Sequence, residues 1–203
     1  MLRKILEAVG PSGRAKLNAA VGRKLSYLVR GHFLGLQSSR HATAERLGAT
    51  PTNYWGKAAE SVSMTSDDES STVSIGAPGI SRAAQDIDIV PGEGKKYLSI
   101  PIASESYGNR MLIGETAPRF ENGFFFTSKA GNLIYAQKQG KGKDAQIHPL
   151  YLLKPSVHQQ QDRSLLPSDD QFLDAALDTE REYLAATVAD IDKQIVLRGA
   201  DES

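Results

Sequence analysis

The residues that could do chemistry in this chain are its histidines, two serines beyond a strand, two glycine-rich turns and a run of acids near the end. The four histidines, His32, His41, His148 and His158, lack the i, i+4 helical spacing with a helping glutamate that would hold a catalytic zinc. His32 reads as a helix-face residue and His148 as the start of a strand. Ser104 and Ser106 lack the G-x-S-x-G turn that presents a nucleophilic hydroxyl. Gly76-Ala-Pro-Gly79 and Gly140-Lys-Gly-Lys143 lack the spacing and the strand-to-helix setting of a phosphate loop, and read as turns. With no cysteine, disulfides, thiolate metal sites and a cysteine nucleophile are excluded together. The expectation is a protein that is not an enzyme, with no catalytic residue, cofactor or metal.

Charge is more informative than chemistry. Lysine plus arginine equals aspartate plus glutamate, 24 against 24, so no bulk charge draws the chain to nucleic acid or anionic lipid. Its distribution is uneven. Arg3, Lys4, Arg14, Lys16, Arg23, Lys24, Arg30 and Arg40 face the single acid Glu7 in the first forty residues. From Asp162 onward eleven acids, Glu182 and Asp190 among them, face Arg163, Arg181, Lys193 and Arg198. A basic front and an acidic back are complementary, either within one subunit or between neighbouring ones. Arg23, Lys24, Arg30, Glu105, Arg110, Lys138, Lys141, Lys143, Glu182 and Asp190 are the charged residues that are candidates for contact with a neighbouring subunit or another partner. The second reading is a cytoplasmic protein that binds nucleic acid non-specifically through the basic first helix and the Lys138–Lys143 loop, although aromatics are sparse among these charges.

The elements that must position these residues point to an α+β fold, a small, mostly antiparallel sheet packed by an N-terminal amphipathic helix and a long C-terminal helix. Residues 1–13 read as a flexible arm, because Gly10-Pro11-Ser12-Gly13 interrupts any earlier helix; 14–197 read as one domain and 198–203 as a flexible tail. From Arg14 to about Leu36, Leu17, Val21, Leu25, Leu28, Val29, His32 and Leu36 share a helical stripe. Asn53–Val62 suits a short helix capped by Thr52 or Asn53, with Trp55, Ala58, Ala59 and Val62 inward. Ser66–Ser71 reads as a polar turn and Thr72–Gly76 as a strand.

Further on, Ile87–Pro91 reads as a short strand, and Lys96–Ile102 as a strand with Leu98, Ile100 and Ile102 on its core face. Pro101 cannot donate a ladder hydrogen bond, which predicts an edge or a strand end there. Ser104–Arg110 is expected to project as a loop. Phe124–Ser128 and Leu133–Gln137 form a hairpin around Lys129-Ala-Gly-Asn132, Gln137–Ala145 a flexible loop, and Pro149–Lys154 a closing strand. Ser168-Asp-Asp-Gln171 is a capping box opening a helix to about Leu197. Its apolar stripe is Phe172, Leu173, Ala176, Leu177, Leu184, Val188, Ile191 and Ile195. The opening apolar run is too short and broken for a signal peptide, and no apolar stretch of about 18 residues spans a membrane, so a soluble protein made in the cytoplasm is expected.

The order of these elements, with Ile89-Val90-Pro91 followed by Lys96-Tyr-Leu-Ser-Ile-Pro101 and later Leu152-Leu-Lys-Pro-Ser-Val157 and Leu166-Pro167, resembles the tailed-phage virion morphogenesis and tail completion proteins, the class with lambda and Mu-like members. The similarity runs from about Ala15 to Leu184. It implies a structural virion protein of the phage neck, repeated as a homo-oligomeric ring, commonly hexameric, around the DNA channel. The partners implied are the tail tube and head–tail connector proteins, with non-specific contact to DNA in the channel and none to membrane. The resemblance carries no active-site residues.

Overall fold

The computed structural model describes residues 10–108, 120, 122–140, 142 and 145–201, with 194–201 described by backbone alone. The fold is α+β, with two long helices and antiparallel sheets. Among the described residues no helix is long and apolar enough to cross a membrane. These residues divide into two compact units, one drawn from Met1–Ser39, Tyr54–Ile80 and Arg163–Ser203, the other from Arg40–Asn53 and Ser81–Asp162.

The first unit is built on helix α1, Pro11–Ser39. It starts at Pro11 rather than at Arg14, because a proline at the first helical position has no amide that needs an intrahelical partner, and the Arg14 amide donates to the Gly10 carbonyl at 2.9 Å. Its buried residues are Gly13, Gly22, Ser26, Val29 and Phe33; Val29 is buried as expected, and with Gly22, Ser26 and Phe33 it forms a stripe rotated from the one expected. Leu17, Val21, Leu25, Leu28, His32 and Leu36 are only half-buried. The rotation follows from close packing: a Cβ on Gly22 would lie 2.9 Å from both Met64 Cγ and Ser71 Oγ, so the smallest side chains of the helix face its tightest neighbour.

That neighbour is a hairpin of β1, Val62–Ser66, and β2, Ser71–Ile75, paired from Val62↔Ile75 to Ser66↔Ser71. Val62 therefore opens a strand and does not end a helix. The intervening turn is closed by Asp67, whose Oδ1 accepts from the Glu69 and Ser70 amides at 2.9 and 2.8 Å. Between α1 and this hairpin in the chain lie α2, Ala42–Leu47, which the sequence reading passes over and which belongs to the second unit, and α3, Tyr54–Glu60. The Trp55 and Gly56 amides of α3 donate to Gln37 Oε1 at 3.1 and 3.2 Å, so a side chain of α1 satisfies donors of the first turn of α3. Ala58 and Ala59 are buried as expected, and Trp55, half-buried, stacks on Phe33 at 6.1 Å.

The second unit contains α2 and the chain from Ser81, which completes the short helix α4, Ile80–Ala83. Its strands are β3, Ile87–Ile89; β4, Leu98–Pro101; β5, Gly123–Thr127; β6, Leu133–Gln139; β7, Gln146–Lys154; and β8, Val157–Gln159. The main sheet has the order β4-β7-β6-β5, and β3 pairs with β8 separately. The edge position expected for the Pro101 strand is found. Because the Ile102 amide donates inward to Leu150 O at 2.9 Å, alternation along the strand turns the Pro101 nitrogen to the outer side.

Several details differ from expectation. Leu98 and Ile100 are half-buried and Ile102 is exposed, while the core is made by Tyr135, Leu150, Tyr151 and Leu153 of the two central strands. An edge strand has a neighbour on one side only, so it buries less. Gln137–Gln139 belong to β6 and pair with His148–Gln146, which shortens the expected flexible loop and puts His148 inside a strand. β7 is central rather than closing. It tolerates Pro149 because the register shifts between Tyr135↔Tyr151 and Ala136↔Pro149, leaving Leu150 as the extra residue of a bulge.

Helix α5, Asp169–Asp201, belongs to the first unit and continues past Leu197. Its capping box forms as expected: the Ser168 amide donates to Gln171 Oε1 at 2.9 Å, and the Gln171 amide donates to Ser168 Oγ at 3.3 Å.

Candidate interaction site

Helices α1 and α5 pack against one another in the first unit. Tyr183 Oη donates to the Gly13 carbonyl at 3.2 Å, and His32 Nε2 lies 3.0 Å from the Ser164 carbonyl just before α5, so the two helices run antiparallel. Of the two arrangements left open for the basic and acidic helices, pairing within one chain therefore occurs. Arg23 and Lys24 stay exposed in this pairing, and among the described residues neither has a carboxylate within ion-pair distance.

The face that α5 turns inward is the main departure from expectation. Thr179 is buried and Ala175, Ala176, Tyr183 and Thr187 are half-buried. Hydroxyls can face inward here because each finds an acceptor: Thr179 Oγ1 donates to Ala175 O at 2.7 Å and Thr187 Oγ1 to Tyr183 O at 2.8 Å. The apolar stripe is displaced to the outside, with Leu173 58%, Leu177 38%, Leu184 46% and Val188 57% exposed. Ile191 is buried as expected and Phe172 half-buried, while the side chain of Ile195 lies outside the described residues. On α1 the corresponding outward apolar residues are Tyr27, 64% exposed, and Leu34, 57% exposed. Sequence reasoning missed both, because an amphipathic stripe assigned by period alone does not say which of two flanking apolar rows meets the core.

The other candidate residues separate by surroundings. Arg30 is half-buried and donates through Nη2 to the Val62 carbonyl at 2.6 Å, so it ties α1 to β1. Glu182 and Asp190 are exposed on α5, and Lys138 is exposed on β6. Arg110, Lys141 and Lys143 lie outside the described residues. Glu105 sits in a 3₁₀ turn, Ser104–Ser106, that lies against β7 instead of projecting. Ser106 is fully buried, its Oγ donating to Ala103 O at 2.8 Å, and Tyr151 Oη donates to Ser106 O at 3.3 Å. Glu105 Oε2 pairs with His148 Nε2 at 3.3 Å. Its own backbone amide first, and His148 second, hold its carboxyl below the usual glutamate range. Ser104 Oγ donates to the same carboxylate at 3.1 Å.

The motif segments Ile89–Pro101 and Leu152–Val157, far apart in sequence, lie side by side in the second unit. Ile89 pairs with Val157, Leu98 with Lys154 and Ile100 with Leu152. Compared with protein-family models, curated proteins and solved structures, the chain matches none. Among the described residues no group of three or more metal-ligating side chains converges.

Proposed function

We propose that this chain is a structural subunit of a phage neck that works by assembling with copies of itself, completing the tail and joining it to the head connector as a ring around the DNA channel. The observation that carries this reading is the register just described: the segments that resemble the tail completion proteins are hydrogen-bonded neighbours, Leu98 to Lys154 and Ile100 to Leu152. The Ile89 and Val157 segments pair in the same antiparallel way in the separate β3–β8 sheet. Charge separation agrees with this reading, since α1 contains no acidic residue while α5 opens on Asp169 and Asp170, as a head-to-tail contact between different surfaces requires.

The test is genetic. Particles made without this chain are expected to accumulate as separate heads and tails, and the chain supplied in trans should restore joined particles. Intact, infectious particles in its absence would overturn the neck assignment. The exposed Arg23 and Lys24 also favour a second reading, non-specific nucleic-acid binding. It predicts a steeply salt-dependent DNA affinity, lost on reversing both charges, in a chain that does not self-associate.

A further inference from the structure

We infer that the outer face of α1 in one copy docks on the outer face of α5 in the next, a head-to-tail contact between two different helix faces. This inference rests on the self-assembly reading above and names the surfaces that would carry it.

Each helix turns one face inside the chain and leaves an apolar row outside it. On α5, Leu173, Leu177, Leu184 and Val188 fall within an arc of about 60° at 3.6 residues per turn and are all exposed. On α1, Tyr27 and Leu34 lie seven residues apart, both exposed, and Ala20, half-buried, extends the same row by another seven. Spacing of this kind is what helices use to meet along a seam. The rows match in length: at about 1.5 Å per residue, Leu173 to Val188 spans about 22 Å and Ala20 to Leu34 about 21 Å. Since both rows are exposed in the same molecule, neither satisfies the other within it.

The rims decide which occupant fits. The α5 row is bordered by exposed carboxylates of Asp170, Asp174, Glu180 and Asp192, against the one guanidinium of Arg181. The α1 row is bordered by exposed Lys16, Arg23 and Lys24, on a helix with no acid at all. Two α5 faces brought together would set carboxylate against carboxylate, and two α1 faces would set cation against cation. An α1 face on an α5 face aligns opposite charges along an apolar seam, which fixes the pairing and its direction. Because the two faces differ, an open chain of docked copies always keeps one free face of each kind at its ends, so the contact propagates until it closes on itself.

Two variants separate this arrangement from its rivals. Tyr27→Asp with Leu34→Asp disables the α1 face, and Leu177→Asp with Leu184→Asp disables the α5 face; all four positions are exposed, so circular dichroism should be unchanged. By native mass spectrometry each variant alone is expected to be monomeric, while an equimolar mixture gives a one-to-one dimer, because one intact face of each kind remains. If either variant assembles by itself like wild type, this docking assignment is overturned while self-assembly stands. If wild type is monomeric at every concentration, both readings fall. Should a variant misfold, the cysteine-free sequence allows Tyr27→Cys with Leu184→Cys in one chain. Oxidation is expected to give a ladder of cross-linked copies, and monomer alone under conditions where wild type assembles would overturn the assignment.

Discussion

Gly22 of α1 sits so close to Met64 of β1 that a Cβ built on the glycine would lie 2.9 Å from Met64 Cγ. Helix and hairpin meet through the absence of a side chain. Gly22→Val should therefore destabilise the protein by about 1–3 kcal/mol through overpacking. Gly35 of the same helix has nothing within 4 Å of its Cβ position, so Gly35→Ala should stabilise it by about 0.5–1 kcal/mol through helix propensity. Urea unfolding of the two variants gives the signs, and equal signs would contradict the packing described.

In the second unit, Leu150 is the extra residue of the β7 bulge and is fully buried. Leu150→Ala is expected to lower stability by about 2–5 kcal/mol. Leu98→Ala, on the half-buried edge strand, should have a clearly smaller effect. Denaturant midpoints rank the two, and the reverse order would move the core from the central strands to the edge.

Tyr135 lies across Gly123, with its hydroxyl and ring carbons where a Cβ would be. Gly123→Ala should push the ring out of its contacts with Phe125 and Tyr151, whose centroids are 5.0 and 6.4 Å away. A changed near-ultraviolet dichroism with a stability loss of about 1–3 kcal/mol is expected, and an unaltered aromatic spectrum would contradict it.

The Asp67 carboxylate accepts from the Ser70 and Glu69 amides, which hold its pKa below the ordinary aspartate range. A folded pKa lower than the unfolded one means that this group's contribution is complete above the unfolded value and is lost as pH falls through the folded value. The Glu69 and Ser70 amide resonances should therefore titrate together, below the ordinary range, and Asp67→Asn should abolish that titration. A midpoint at or above the ordinary range would contradict the turn geometry.

Local signals were legible in the sequence. Ser168 and Gln171 announce a capping box, Lys129–Asn132 a hairpin turn, and Pro101 an edge, because each depends on residues a few positions apart. What depended on a distant partner was not legible. Phe33 is fully buried against a helix that arrives some twenty residues later, and Gln37 caps that same helix from outside it. The inward face of α5 is chosen by α1, which accepts Thr179 and Tyr183 and leaves Leu173 and Leu184 exposed. Periodicity identifies a helix, and tertiary packing selects which of its rows is buried. The candidate interface charges were legible as charges, but Leu173, Leu177, Leu184 and Val188 of α5 were assigned to the core and are exposed.

The claim on which the rest depends is that this chain works by docking to copies of itself. Native mass spectrometry of the purified full chain, from dilute to concentrated and at low salt, tests it directly. The account predicts one closed oligomer of fixed copy number that gives way to monomer as ionic strength rises. A monomer at every concentration and salt would contradict it.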